Sequence, residues 1–219
     1  ATRKKGERKM ELQLAMDLFS LEDAVAMAQR LQADADIIEI GTPLLMREGI
    51  RAIRIMQESC PKCRILADCK IMDAGGLEAE MAFSAGADIV TVCGAASDAT
   101  IEAALGAARQ AGKQILVDLI AVKDLETRAA WADQAGADYI QVHTAFDGRS
   151  GGSPLAELLR IQPVVTRGKL AAAGGIGLSS MEQLAAARPS LIVLGSKLFG
   201  APDPVEELKK ICAAAGGEA

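Results

Sequence analysis

Histidine is almost absent from this chain: His143 is the single one in 219 residues. Chemistry that needs an imidazole has one candidate, and a zinc site of four Cys/His ligands lacks the partners to form. Cys60-Pro61-Lys62-Cys63 has the C-x-x-C spacing but no second pair to complete it. As a redox pair it would need a helix N-terminus to lower a thiol pKa. It follows an expected helix and precedes an expected strand, which suits an incidental loop. Five cysteines (Cys60, Cys63, Cys69, Cys93 and Cys212), an odd number without a secretory signal, fit reduced thiols. Aromatics are only 3%, so any core is aliphatic and rich in alanine. No apolar run approaches the ~18 residues of a membrane span, and no signal peptide is visible, so a cytoplasmic setting is the default. The net charge of −5 argues against a nucleic-acid-binding face.

Half of the residues are hydrophobic, enough for a sizeable core. The first ten carry Arg3, Lys4, Lys5, Arg8 and Lys9. They read as a flexible extension with Met10 as the original start, or as a short arm for an acidic partner. Residues 11–219 read as a single domain. Strands are expected over 12–17, 36–41, 64–68, 88–93, 114–119, 138–143, 169–173 and 190–194. Helices are expected from the Ser20 cap onward and over 47–59, 77–85, 98–111 (capped by Asp98), 124–135, 154–165, 179–187 and 204–214. Ala-Gly-Ala-Asp recurs at 85–88 and 135–138, with its glycine at a helix stop. Eight alternating strand-helix units imply parallel strands joined by helical crossovers, and predict a closed (β/α)8 TIM barrel. A doubly wound open sheet is the alternative, but no G-x-G-x-x-G follows the first strand.

One stretch concentrates charge: Leu66-Ala67-Asp68-Cys69-Lys70-Ile71-Met72-Asp73-Ala74-Gly75. Side chains two apart on a strand share a face, which pairs Asp68 with Lys70. A surface ion pair has the same pattern. An ammonium among carboxylates stays charged, so Lys70 suits a fixed cation better than a Schiff-base nucleophile. Asp73, beyond the strand, is placed to turn back to the same site or to reach into a neighbouring chain. In a barrel the carboxyl ends of the strands carry chemistry, and here those ends hold Asp17, Glu39, Asp68 with Lys70, Asp118 and His143. Glu39 and Asp118 sit inside apolar runs, where an unpartnered carboxylate is costly. Lys70 or a hard cation such as Mg²⁺ is the natural partner. Strands seven and eight end in Gly174-Gly175 and Gly195-Ser196, either tight turns or backbone cradles for a phosphate. His143, closing a strand, is a structural histidine or a general base.

Together these residues resemble the orotidine-monophosphate-decarboxylase suprafamily, and within it the 3-hexulose-6-phosphate synthases. The resemblance runs from Met10 to about Ala214. It is carried by Leu12-Gln-Leu-Ala-Met-Asp17, Ile38-Glu-Ile-Gly-Thr-Pro43, the 66–75 stretch, Ala87-Asp-Ile-Val-Thr-Val92, Val117-Asp-Leu-Ile120, Val142-His-Thr144 and Ala173-Gly-Gly175. It implies an aldolase that condenses formaldehyde with the sugar phosphate ribulose 5-phosphate, reversibly, through an enediolate stabilised by Mg²⁺, with Mn²⁺ as a substitute. It implies that Glu39 and Asp68 hold the metal, and that His143 transfers the proton. Lys70 and Asp73 complete the charged site, Asp73 from the partner of a homodimer with shared active sites. Asp17 and Asp118 bind substrate hydroxyls, and Gly174, Gly175, Gly195 and Ser196 hold the phosphate. A larger assembly is compatible with this.

The nearest alternative is the 3-keto-L-gulonate-6-phosphate decarboxylases, which make a similar enediolate by losing CO2. The resemblance places an arginine, a threonine and an arginine in those enzymes where this chain has Phe146, Ala173 and Ser196. Lys197 departs from the synthase pattern, as does the sixth loop, whose Gly148, Gly151 and Gly152 suit a lid. A non-catalytic barrel used as an assembly scaffold is the reading from another class, against which the intact acidic, basic and glycine positions stand.

Overall fold

The strands are short and apolar because each is covered on both sides, by barrel interior and by helix. The computed structural model describes residues 10–17, 19–147 and 154–215. Eight parallel strands close in chain order: β1 (Glu11–Ala15), β2 (Ile37–Ile40), β3 (Arg64–Ile71), β4 (Ile89–Cys93), β5 (Gln114–Asp118), β6 (Tyr139–His143), β7 (Lys169–Ala173) and β8 (Leu191–Leu194), which pairs back with β1. Around them lie α1 (Leu21–Leu31), α2 (Thr42–Glu48), α3 (Arg51–Ser59), α4 (Gly75–Ser84), α5 (Asp98–Ala111), α6 (Leu125–Ala135), α7 (Leu155–Ile161), α8 (Met181–Ala187), α9 (Ser196–Phe199) and α10 (Pro204–Ala215). The expected (β/α)8 barrel is what forms.

Several boundaries differ, each for a local reason. The helix expected over 47–59 is two helices. Pro43 starts α2 early, and Gly49, at φ +66°, breaks the path before α3. Ser97, not Asp98, caps α5, its hydroxyl accepting the N–H of Thr100. β3 runs three residues past its expected end. Met10, assigned to the extension, is buried in the outer core; residues 1–9 lie outside the described residues, as do Gly148, Gly151 and Gly152 of the sixth loop. Cys60 and Cys63 follow α3 in a turn, and the Cys63 thiol donates to the carbonyls of Gln32 and Ala35.

Inside, the barrel is layered. At its amino-terminal mouth Arg64 pairs with Glu11 at 2.6 Å, Tyr139 donates to Glu11 at 2.8 Å, and Lys169 donates to the Tyr139 hydroxyl at 3.2 Å. Above this plug an apolar layer includes Ile37, Leu66, Ile89, Leu116 and Leu191. Above that come buried polar side chains: Gln13, Glu39, Asp68, Thr91, Asp118 and Gln141. Chemistry is thus confined to the carboxyl-terminal mouth.

The recurring aspartates clasp the strands. Asp36, Asp88 and Asp138, just before β2, β4 and β6, accept the N–H of Leu12, Ile65 and Ile115 on the preceding strand, each at 2.9 Å. Asp133, near the end of α6, does the same for the segment leading into β7. Its carboxylate accepts N–H groups of Thr166, Arg167 and Gly168 and the Thr166 hydroxyl. Replacing Asp133 with Ala strands these donors and is expected to lower stability by roughly 2–4 kcal/mol, read as a lower urea midpoint. An unchanged midpoint would show that the segment does not depend on it.

Candidate active site

The charged site is made by a fault in strand pairing. Ala67 pairs with Val90 and Ile71 with Val92, so Asp68, Cys69 and Lys70 together face Thr91 alone. The surplus bulges, and Lys70 takes φ +46°, a left-handed conformation that costs a non-glycine residue about 1–3 kcal/mol. Two side chains of β4 hold it there. The Thr91 hydroxyl accepts the Lys70 N–H at 2.9 Å, and the Cys93 thiol donates to the Lys70 carbonyl at 3.4 Å. The expected pair of Asp68 and Lys70 forms, but through the bulge and not by regular alternation: it turns Lys70 Nζ onto Asp68 Oδ2, at 2.6 Å. Thr91 donates to Asp68 Oδ1 at 2.8 Å, and Thr42, opening α2, lies 2.9 Å from Oδ2.

Electrostatics follows from this crowding. Burial works against the Lys70 charge, but Asp68 first and Asp118 next outweigh it and push its pKa above the ordinary lysine value. An ammonium held charged is no nucleophile, in keeping with a fixed cation. Burial, then the charges of Asp68 and Asp17, raise the Glu39 carboxyl well above the usual carboxylate range, while Gln13, donating to its Oε2 at 2.6 Å, and Lys70 pull the other way. Burial first, with nearby carboxylates, lifts the Cys69 thiol to about 12 and the Cys93 thiol to about 11, so both stay neutral.

His143 stands at the end of β6 with Nδ1 2.8 Å from Asp118 Oδ2. Asp118 has no exposed surface. Burial alone would raise its pKa, but the hydrogen bond and charge of His143, then Lys70 and the Ile120 N–H, hold it below the usual value. An ionised carboxylate only accepts, so Nδ1 carries the hydrogen on that side, and in the neutral imidazole Nε2 is the nitrogen that takes up a proton. Lys70 Nζ lies 3.7 Å from the same Asp118 oxygen. The expected contact of Asp118 with substrate hydroxyls therefore meets a side chain engaged by His143, Ile120 and Lys70, which orients the imidazole.

The remaining expected residues divide. Asp17 sits at the mouth against β2 and β8: a Cβ on Gly41 would lie 1.9 Å from its Oδ1, and one on Gly195 3.7 Å from its Oδ2. Gly174 and Gly175 both have positive φ, and a Cβ on Gly174 would strike the Thr144 carbonyl at 2.3 Å. Only glycine allows β6 and β7 to end so close together. Gly195 precedes α9 and Ser196 opens it. The stem of Lys197 crosses Gly177, between the loops that follow β7 and β8. Asp73 does not join the cluster; it is exposed, and its carboxylate accepts the Ala74 N–H. Thr91, Thr42 and Gln13 were not singled out in the sequence. Thr91 had a signal, as a hydroxyl in the middle of the otherwise apolar Ile89–Cys93 strand.

Glu39 and Asp68 suit a hard cation. They are buried oxygen donors whose mutual repulsion a positive ion would relieve, and Gln13 Oε1, on the amide that bonds Glu39, is buried without a hydrogen-bond partner among the described residues. No group of three His, Cys, Asp or Glu side chains with metal-site geometry occurs among the described residues.

Known proteins match the chain over nearly its full length. The profile of the "Orotidine 5'-phosphate decarboxylase / HUMPS family" matches residues 10–211. The chain is 46% identical over 202 residues to 3-hexulose-6-phosphate synthase 2 of Staphylococcus saprophyticus, covering 92% of this chain and 95% of that one. It is 44% identical over 210 residues to 3-hexulose-6-phosphate synthase of Staphylococcus aureus strain MSSA476, covering 95% and 100%. The crystal structure of 3-hexulose-6-phosphate synthase from Salmonella typhimurium superposes with a TM-score of 0.91 at 40% identity, covering 94% and 98%.

The raised Glu39 pKa predicts a stability effect with a definite sign. A carboxyl whose folded pKa exceeds its unfolded value weakens the fold as pH rises past the unfolded value, and most above the folded one. With divalent ions removed, Glu39→Gln is expected to melt at a higher temperature than the parent at pH 8, the gap narrowing toward about pH 4. A variant that melts lower at pH 8 would show that the Glu39 charge is compensated.

Proposed function

Because the chain belongs to the orotidine 5'-phosphate decarboxylase / HUMPS family, we propose that it is an aldolase-type lyase joining formaldehyde to ribulose 5-phosphate, and cleaving the product in reverse. The observation that carries the reading is the shared carboxylate: Asp118 touches the base His143 at 2.8 Å and lies 3.7 Å from the cation Lys70. Proton removal and charge stabilisation are thus adjacent, as enediolate chemistry needs. His143 Nε2 takes a proton from the carbon beside the substrate ketone, and Asp118 stabilises the imidazolium that results. The Lys70 ammonium faces the negative charge left on the substrate. The carbon so activated attacks formaldehyde, a carbon–carbon bond forms, and the proton held by His143 passes to the new alkoxide.

Glu39 and Asp68 would hold Mg²⁺, or Mn²⁺ in its place, and such an ion supplies positive charge beside the enediolate oxygens. Asp17 is suited to substrate hydroxyls, and the glycines at 174, 175 and 195 with Ser196 to the phosphate. Lys197, lying between those loops, adds positive charge there. A sugar-phosphate enzyme of this kind fits a cytoplasmic setting; among the described residues no helix is long and apolar enough to cross a membrane. Purified protein given formaldehyde and ribulose 5-phosphate with Mg²⁺ is expected to consume formaldehyde and form a hexulose 6-phosphate. Excess chelator is expected to stop turnover, and Mg²⁺ or Mn²⁺ to restore it. No product with metal present overturns the assignment; full turnover in chelator removes the metal.

The same reading makes the protein a two-fold dimer in which Asp73 completes the partner's site. Its support is a set of exposed apolar side chains: Met72, adjacent to Asp73 in the chain, Leu77 and Met81 on the α4 that follows, and Met46 and Ile50 on α2 and at the start of α3, with Met46 83% exposed and Leu77 63%. Ile50, Leu77 and Met81 also line a groove of about 330 Å³ between α3 and α4. Ala82, next to Met81 on α4, is buried in the core. Mixed dimers test the arrangement. Chains carrying Asp73→Ala and Lys70→Ala, each inactive alone, are expected to regain activity when combined, since one site per mixed dimer keeps both residues. A dead mixture would place Asp73 in its own chain's site.

A further inference from the structure

We infer that Thr91 is a positioning residue that sets Asp68 and Lys70 against each other, an inference that rests on the reading of those two as metal ligand and fixed cation. Thr91 is the one β4 residue opposite Asp68, Cys69 and Lys70 of β3. Its side chain is buried within the barrel, and its hydroxyl both accepts and donates. It accepts the Lys70 N–H at 2.9 Å and donates to Asp68 Oδ1 at 2.8 Å. One oxygen therefore fixes the backbone of the cation and the carboxylate of its partner at once.

Thr42 also touches Asp68, through Oδ2 and the carbonyl, but has no hydrogen bond to Lys70. Cys93 holds the other side of the Lys70 peptide through its carbonyl, by a weaker thiol hydrogen bond. Thr91 is thus the link between the two members of the ion pair. It also anchors a backbone at φ +46° that would otherwise relax toward an extended conformation, carrying Nζ away from Asp68.

The test uses Thr91→Val, which keeps the shape and removes the hydroxyl, and Thr91→Ser, which keeps the hydroxyl. Loss of alignment is expected to lower kcat of Thr91→Val by ~10- to 100-fold. KM for ribulose 5-phosphate is expected to stay within about threefold of the parent, because phosphate and hydroxyl contacts are untouched. Thr91→Ser is expected to recover kcat to within about threefold of the parent. A merely structural threonine would give both variants the same loss, in step with their melting temperatures. A crystal structure of Thr91→Val supplies a readout independent of substrate: Lys70 is expected to leave positive φ and Nζ to leave hydrogen-bond reach of Asp68. Unchanged kcat in Thr91→Val, or an intact Lys70–Asp68 geometry in its crystal structure, overturns the role. If the unsubstituted protein does not turn over the two substrates, the functional assignment falls, and the crystal structure still decides the part played by Thr91. Should Thr91→Val not fold, Thr91→Ala puts the same questions.

Discussion

Lys70 meets Asp68 because β3 loses step with β4. On a regular strand, residues two apart share a face but stand roughly 6.5–7 Å apart along the chain, and each would point into the barrel separately. The bulge bends the second residue back, so that ammonium and carboxylate touch at 2.6 Å. Every other charge at the mouth is arranged around that contact. Glu39 is raised in pKa partly by Asp68, and Asp118 is lowered partly by Lys70. Removing the ammonium would take away a positive charge that Glu39, Asp68 and Asp118 share, so the ion pair is a condition for the rest of the site.

The two mouths of the barrel divide the labour. At the amino-terminal end, Glu11, Arg64, Tyr139 and Lys169 pair mutually and close the base. The apolar layer above separates that network from the carboxyl-terminal mouth, where like charges and a left-handed lysine are tolerated. A fold can carry such local repulsion and strain when the surrounding helices and strands are packed without compromise.

The barrel was legible from the sequence because its signals repeat: eight apolar runs, eight helical stretches and glycine stops. Asp68, Lys70, Glu39 and His143 stood out because an ionisable residue is conspicuous in an apolar run. What escaped detection depends on single residues. Gly49 alone splits a helix that periodicity joins. Ser97 and Asp98 are both good caps, and residue type does not say which of two neighbours takes the place. The bulge at Lys70 needs the register of β4, which lies outside the 66–75 stretch, and so the part of Thr91 was hidden with it. The burial of Ala82 beside the exposed Leu77 and Met81 reflects the rotation of α4, which a short helix with apolar residues on several faces encodes weakly.

The aspartate clasps before β2, β4 and β6 give the barrel a period of two strands. In each case the same residue also ties its backbone to the strands on either side: the Asp36, Asp88 and Asp138 N–H groups go to Leu12, Ile65 and Ile115, and their carbonyls receive Arg64, Gln114 and Lys169. At β8 the equivalent position is Ser190, which keeps the backbone links to Leu170 and Glu11. The cylinder is therefore a quasi-fourfold ring of two-strand staves, three riveted by a carboxylate and the fourth by main chain alone. Among the described residues, β7 and β8 form the one pair of the four without that rivet, so sub-global opening there has one side-chain hydrogen bond fewer to break than at its three counterparts.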